Sequence, residues 1–438
     1  MKNLTYYNRF GQLSLLAAVL VVLAVPLPSY ASEKPDLPEE LATRAIIANP
    51  AIKSVERQIE ALLHKVDSVQ VWSDPVLAVD YLNVPWDSWS LGDTPMSGVQ
   101  FKLKQTFPLP GKNDRRQAVA QGELKVKKWE LAERKNKLRA MVKQAFWKLA
   151  LVRELKRITS RHIDLLGQLV VVVRVKYQVG KSGQHDLLRL EVLKKKLTDD
   201  LGDFVKRDKQ LTAAINAALH RDRATPIETP NKLELPQARL KLTGYLRLAE
   251  QNRPLLKQTL AMSAWHRQAA DAAAYERWPD ITVWAGYRIR SAAGADPSTD
   301  FFSVGLAIPL PFDYTNRHEA KEAEHLSNAS AADEAKRSIF DEIRAALETA
   351  LAAWDRAAQK VTTYREVLIP EADKTLKATL SAYTSDRADF TSLYQAELQL
   401  LEFDRAIQIA EITAQLEQVR VELEVGTRLH TVNSEVQR

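Results

Sequence analysis

The sequence predicts a mainly α-helical fold with a small β part, in which one pattern of elements occurs twice. Only 14 of the 438 residues are glycine, while alanine, leucine and charged residues are plentiful, a composition typical of long helices. Landmarks of the first half recur about 200 residues later, and each half contains two short segments of alternating polar and apolar residues. Repeated helical stretches around short strands therefore define the expected fold class.

The N-terminus has the order of a signal peptide. Basic Lys2 and Arg9 come first, an apolar run over 13–25 follows, and a small-residue cleavage site ends at Ala31. An uncleaved membrane anchor is the alternative, but it needs roughly 20 apolar residues and prolines interrupt the run too soon. We expect residues 1–31 to be a leader that directs export.

Composition also bears on chemistry. There is no cysteine, which excludes disulfides, thiolate metal sites and cysteine nucleophiles, and the net charge of +7 is weak evidence for a nucleic-acid partner. The chain has neither a phosphate-binding loop nor a nucleophile elbow. His318, Glu322 and His325 share helical spacing, yet a closed metal site needs more ligands. We expect no enzyme activity, no cofactor and no metal site.

An internal repeat organises the chain. Trp72 and Trp278 are 206 residues apart, as are Tyr177 and Tyr383, and further matching positions keep nearly the same offset. We place the first structural repeat at 32–225, a proline-bearing linker at 226–237, the second repeat at 238–430 and a tail at 431–438. A quasi-twofold arrangement of the two halves is predicted.

Each half contains a predicted β-hairpin, at about 75–108 and 280–310. In the strand 99–107, apolar Val99, Phe101 and Leu103 alternate with polar side chains, which gives one apolar and one polar face. A small soluble sheet is the alternative, but the strands approach the 9 to 11 residues, roughly, that cross a membrane. Four strands cannot close a barrel, since the smallest membrane barrels have about 8. The hairpins therefore predict an oligomer in an outer membrane.

The helices are unusually long. Residues 113–178 contain no proline, and a continuous helix of that length would reach ~100 Å. Apolar residues then follow seven-residue periods from Leu187 and Leu190, and again from Leu393 and Ala396, which indicates coiled-coil packing. We interpret the polar residues at these core positions as a solvated seam; they are Lys194, Asp208, Glu417 and Glu424.

The order of helix, two strands, long helix, turn and heptad helix, repeated once, resembles the TolC-type outer-membrane efflux family. The motifs that carry the resemblance are Asn49-Pro50, Arg253-Pro254, the Pro-Leu-Pro exits at Pro108 and Pro309, and Tyr177-Gln178-Val179-Gly180 followed by Asp186-Leu187-Leu188. The stretch 105–112 is more similar to members that serve heavy-metal pumps than to drug-efflux members. The resemblance covers nearly all of the chain after the leader.

The resemblance implies a homotrimer in the outer membrane, with four strands per protomer in a twelve-stranded β-barrel and long helical hairpins in a periplasmic α-barrel. It further implies a passive exit duct that docks onto a periplasmic adaptor and an inner-membrane RND-type pump, with heavy-metal cations as one class of cargo. The alternative from another functional class is a soluble periplasmic coiled-coil adaptor or scaffold, which needs no membrane-facing strands.

The resemblance also implies a gate where the two helix-to-helix turns meet at the inner end of the tunnel. In the family this tip constricts through tyrosines, acids and an arginine. Tyr177, Tyr383 and Asp186 match, whereas Ser392 and Gln395 replace family aspartates and Ala388 replaces an arginine. The expected gate residues are Tyr177, Asp186, Tyr383, Asp386, Arg387 and Asp389.

For this gate we hypothesise that Tyr383 and Arg387 bond to the neighbouring turn near Asp186 and close the resting tip. Asp386 and Asp389 would then set a preference for cations. The alternative is that all of these are solvated turn residues without a gating role.

Overall fold

A computed structural model describes residues 37–230, 235–236, 240–295, 299–310, 312–313 and 315–429. The predicted leader at 1–31, the tail at 431–438 and parts of the predicted linker lie outside these ranges. All of the described residues belong to one compact unit.

The described residues form nine α-helices and four strands, so the predicted mainly α fold class is confirmed. The first half contains α1 (Pro38–Ala48), α2 (Pro50–Ser68), β1 (Val76–Leu82), β2 (Gly98–Phe107), α3 (Lys112–Gln178) and α4 (Gln184–Ala218). The second half contains α5 (Leu242–Asn252), α6 (Pro254–Tyr275), β3 (Ile281–Arg290), β4 (Phe301–Ala307), α7 (Ala320–Thr363), α8 (Ile369–Thr384) and α9 (Phe390–Val425). No helix in these ranges combines the length and apolar character needed to cross a membrane.

The two halves place their elements in the same order. The 67-residue helix α3 extends ~100 Å and packs against α6 along one part and α4 along another. Its counterpart in the second half is a continuous helical run in which a π-helical segment, Tyr364–Leu368, joins α7 to α8. Pro50 and Pro254 occupy the first turns of α2 and α6, where a missing N–H leaves no helical hydrogen bond unmade.

The four strands form one antiparallel sheet in the order β1-β2-β3-β4. Both predicted hairpins are present, and β2 pairs with β3 to join the two halves, with Gln100 opposite Arg288. Strand β4 begins at Phe301, and its first residues, Phe301 and Phe302, pair with Arg288 and Tyr287 of β3.

The predicted heptads pack into the helical core. Leu190, Leu197 and Ile215 of α4 are buried, and so are Leu393 and Leu400 of α9.

Two of the polar heptad residues form ion pairs with basic residues distant in the sequence instead of being solvated. Arg153 Nε donates to Asp208 Oδ2 at 2.8 Å, and the Arg253 guanidinium lies 3.6 Å from the Glu424 carboxylate. At these two positions the solvated-seam interpretation was wrong, because distant basic residues of the same chain reach the seam.

Candidate functional site

The sheet has one face made of exposed apolar side chains. In antiparallel pairing directly opposite residues lie on the same face, so the register places the odd-numbered residues of β1, β2 and β3 with the even-numbered residues of β4. The large apolar residues exposed on this face are Leu77, Val79, Tyr81, Phe101, Leu103, Val283, Tyr287, Ile289, Phe302, Val304 and Leu306. None of the residues that the register places on this face is charged. An apolar surface of this extent is a membrane-contact or partner-contact surface.

The opposite face is polar and internally bonded. Lys102 Nζ lies 3.2 Å from Asp80 Oδ2, and Arg288 donates to Gln100 Oε1 at 3.0 Å. The Trp284 ring lies so close to β4 that a Cβ at Gly305 would be 2.3 Å from it. This face therefore has the character of a water-exposed surface and not that of a hydrophobic core.

The dimensions of the sheet and its flanking residues match a membrane-crossing element. Strands β2 and β3 have ten residues each, or ~33 Å, which a tilt of about 40° reduces to the ~25 Å apolar band of membrane barrels. Exposed aromatic residues flank the sheet at the loop end and at the helix end, as interfacial girdles do. They are Trp86 and Trp89 at the loop end, and Trp72, Trp278 and Phe312 at the helix end.

The edges of the sheet are open in one protomer. Within the described ranges, β1 and β4 each pair with a single strand, so their outer edges carry unpaired backbone groups. Such edges are not tolerated in lipid, where no water can satisfy them. Strands from other copies would have to pair there if the sheet lies in a membrane.

The stretch 105–112, which suggested the heavy-metal members, has a structural role at the junction of strand and helix. The buried Lys112 Nζ donates to Asp280 Oδ1 at 2.7 Å and to the Trp278 carbonyl at 2.9 Å. It also lies 3.0 Å from a Glu276 carboxylate oxygen. Lys112 thus links the start of α3 to the segment that enters β3.

At the far end of α3, the first tip turn follows from glycine and from capping. Gly180 has φ of 75°, a left-handed conformation that ends the helix at little cost. Asp186 stands in the first turn of α4, where its carboxylate accepts from the Gly183 N–H at 3.3 Å and from the Ser182 hydroxyl at 2.9 Å. Asp186 therefore stabilises the start of α4.

The second tip turn places a charged residue at the matching left-handed position. Asp386, 206 residues after Gly180, has φ of 59°. Its carboxylate forms ion pairs with Lys176 and with Lys181, whose Nζ lies 2.5 Å away. Hydrogen bonds from Lys176 and Lys181 lower the pKa of Asp386 to about 2. Asp386 thus ties the second turn to the first.

Tyr383 strengthens the same connection. Its side chain is buried, with only 4% exposed, and its hydroxyl donates to Ser182 Oγ at 3.3 Å. Lys176 Nζ lies 4.6 Å from the centre of the Tyr383 ring and also donates to the Tyr383 carbonyl. We name Lys176, Lys181, Ser182, Tyr383 and Asp386 the tip cluster.

The other predicted gate residues lie at the tip but outside this cluster. Asp389 caps α9, since its Oδ1 accepts from the Ser392 N–H at 2.9 Å. Hydrogen bonds from the Ser392 side chain and from its backbone N–H lower the Asp389 pKa. Arg387 is exposed and donates to Ser385 Oγ at 3.2 Å rather than to Asp186 of its own protomer. Tyr177 is exposed beside the first turn.

Sequence reasoning missed Lys176, Lys181 and Ser182. The sequence did contain one indication, because Gly180 and Asp386 occupy equivalent positions in the repeat. An aspartate in a left-handed turn beside basic residues favours an ion pair. What it could not show is which lysines lie nearby, because the two turns are more than 200 residues apart.

A second missed feature is a buried ionic cluster between α3 and α9. The His162 side chain is 1% exposed, and it lies with Nδ1 2.8 Å from Glu397 Oε1 and Nε2 3.0 Å from Asp404 Oδ2. Arg161 also pairs with Asp404. Burial lowers the pKa of His162, but the hydrogen bonds to Asp404 and Glu397 outweigh it, and the net pKa is raised above 6.5. The two carboxylates therefore favour the imidazolium form of His162 over the neutral ring.

No protein-family model matches the sequence, and no curated protein does either. Solved structures match in fold. VceC, an outer membrane protein of Vibrio cholerae, has a TM-score of 0.73 at 15% identity over 89% of this chain and 96% of its own. CusC, from a study of its folding and transmembrane channel formation, has a TM-score of 0.72 at 12% identity over 90% of this chain and 92% of its own. The open state of the outer membrane channel MtrE of Neisseria gonorrhoeae has a TM-score of 0.71 at 14% identity over 90% of this chain and 89% of its own. In its long helices, its four-stranded sheet and their order, this chain has the fold of the TolC-like outer-membrane efflux channels.

Proposed function

We propose that this chain is one protomer of a trimeric outer-membrane channel that acts as a passive exit duct of a tripartite efflux system. The observation that carries the proposal is the uncharged apolar sheet face, with exposed aromatic residues at both of its ends. In water this exposed apolar face would promote aggregation, whereas in lipid its burial stabilises the protein. The proposed location is the outer membrane, with the helices in the periplasm.

Three copies best accommodate the sheet. The order β1-β2-β3-β4 is antiparallel throughout, so β4 of one copy can pair antiparallel with β1 of the next. Two copies would give a barrel of about eight strands, and side chains fill the interior of a barrel that small. Three copies give about twelve strands, which leave a pore. The open edges of β1 and β4 then disappear.

The helices support a connection to other components. Helix α3 alone has the length to extend far from the membrane, and it ends in the tip cluster. We propose that this end meets a periplasmic adaptor protein and an inner-membrane RND-type pump, and that the tip cluster with Tyr177, Asp186, Arg387 and Asp389 forms the gate. A soluble coiled-coil scaffold is less well supported, since it leaves the apolar sheet face without a purpose.

We further propose that the cargo of this duct includes heavy-metal cations. This proposal rests on the sequence 105–112 alone, and the similarity to CusC is no greater than to the other channels. A strain that lacks this gene should then become sensitive to a metal cation such as copper(I) or zinc. Unchanged sensitivity to metals, together with lost export of another compound, would remove this cargo class.

The oligomeric state tests the proposed function directly. We expect the detergent-solubilised protein to have the mass of three chains, because isolated edge strands are unstable in an apolar medium. Multi-angle light scattering combined with refractometry separates protein from detergent mass. A stable monomer, or release of the folded protein by a carbonate wash of the outer-membrane fraction, would contradict the proposal.

A charge on the apolar face should prevent membrane insertion. We expect Val79→Lys to reduce the outer-membrane trimer strongly, since a lysine at the bilayer midplane costs about 2 to 4 kcal/mol and the trimer contains three. Ala78→Lys is the matched control, because the adjacent Ala78 lies on the polar face. Heat-modifiability of trimers on gels measures both variants. Equal loss in both, or in neither, would argue against a lipid-facing surface.

A further inference from the structure

The charges of the sheet are confined to its polar face and are unbalanced. The face carries Lys102, Lys104, Arg288 and Arg290 against one acid, Asp80. Asp300, near the end of β3, is held by the Tyr287 hydroxyl at 2.6 Å and by the Arg290 backbone N–H at 3.1 Å. Basic charge is therefore in excess along this face.

Two of the basic side chains have fixed positions. Lys102 lies between Asp80, at 3.2 Å, and the Trp284 ring, whose centre is 5.2 Å from Nζ. Arg290 packs over Phe301 at 4.9 Å and donates to the Thr299 carbonyl at 3.5 Å. These contacts pin Lys102 and Arg290 against the wall of the sheet.

Lys104 and Arg288 are the cations that the sheet leaves without a carboxylate partner. Arg288 donates to the neutral Gln100 amide, and among the described residues no acid lies within ion-pair distance of Lys104. Both side chains are only partly buried in one protomer. They lie on β2 and β3, the two central strands, where a barrel wall is least affected by its seams.

We propose that Lys104 and Arg288 make the membrane-spanning section of this duct selective for anions, so that anionic cargo passes it more readily than the metal cations that residues 105–112 suggest. The inference rests on the proposed function, because only ring closure turns the polar face into a lumen. Three copies would repeat the two cations around the pore, and rings of lysine and arginine favour anions in channels. A low-dielectric wall focuses such a field on the passage.

Ion selectivity in a planar bilayer tests the inference. Under a potassium chloride gradient we expect a reversal potential of the sign that chloride permeation gives. The variant Lys104→Gln with Arg288→Gln should bring the chloride-to-potassium permeability ratio to unity or below. The control is Lys53→Gln with Lys195→Gln, which removes the same charge from exposed positions on α2 and α4 and should leave the ratio unchanged.

A second readout does not depend on an open tip. The tryptophan fluorescence lost in Trp284→Phe reports the indole that lies opposite Lys104 on the polar face. Iodide should quench that component less in Lys104→Gln with Arg288→Gln than in the parent protein, and caesium should quench it more.

The outcomes separate this inference from the proposed function. Trimers that favour potassium, or that keep their chloride preference in the double variant, would overturn anion selectivity and leave the channel intact. Iodide and caesium quenching that are both unchanged in the double variant would do the same. A monomer that never enters the outer membrane would instead refute the proposed function.

Discussion

The Asp386→Asn variant is expected to conduct ions across a planar bilayer at least severalfold better than the parent protein. Asp386 is the common partner of Lys176 and Lys181, and the Lys176 side chain is only 11% exposed. Without the carboxylate these two ammonium groups repel each other, and the second tip turn loses its tie to the first. A trimer contains the change three times, so small losses multiply.

Asp341→Asn is the matched control for this variant. It removes the same charge from an exposed position on α7, outside the proposed gate, so the conductance should stay near that of the parent. Tyr383→Phe with Arg387→Ser tests the hypothesis drawn from the sequence, and we expect it to conduct better as well. A conductance that falls in Asp386→Asn would mean that the tip cluster holds the duct open.

The pH dependence of the parent conductance follows from the same ion pairs. The pKa of Asp386 is lowered from 3.8 to about 2 by hydrogen bonds from Lys176 and Lys181. A carboxylate with a lowered pKa stabilises the cluster fully at pH values above its ordinary pKa of 3.8. This contribution is lost as the pH falls through about 2. Conductance should therefore stay constant from neutral pH to 3.8 and rise only below it. In Asp386→Asn this acid-dependent rise should be absent.

His162→Leu is expected to destabilise the helical core by about 3 to 5 kcal/mol, the usual result of removing one partner from a buried ion pair. Glu397 is 0% exposed and would be left charged without its donor, while Asp404 would keep Arg161. The temperature at which helical circular dichroism is lost in detergent measures the change. His64→Leu, at an exposed position on α2, should have little effect.

A second variant distinguishes lost charge pairing from lost packing. His162→Leu combined with Glu397→Leu replaces the pair with apolar groups of similar size, and we expect it to recover most of the lost stability. Equal instability of the single and double variants would contradict the electrostatic explanation.

The stability of the parent protein should also depend on the protonation of His162. Its pKa is raised above 6.5, because the bonds to Asp404 and Glu397 outweigh the effect of burial. A raised histidine pKa gives stability that is fully present below 6.5 and is lost as the pH rises through the folded-state pKa. The melting temperature of the parent should fall toward alkaline pH, and that of His162→Leu should fall less.

The sequence by itself determined the local elements and their order. Alternation over 99–107 predicted strand β2, whose observed range is Gly98–Phe107, and the absence of proline over 113–178 predicted α3. The constant offset between Tyr177 and Tyr383 indicated the repeat. These are patterns with periods of two, 3.6 and seven residues, and each is written within one contiguous stretch of chain.

Only the tertiary structure decided which distant residues meet. The pairing of β2 with β3, the tie from Lys176 to Asp386 and the burial of His162 against Glu397 each join positions more than 170 residues apart. Periodicity says which face of a helix or strand is apolar, but not which polar residue of another element lies opposite. That depends on the register between packed elements, which the whole chain sets at once. The ion pairs of the tip and of the helical core could therefore not be predicted from the sequence.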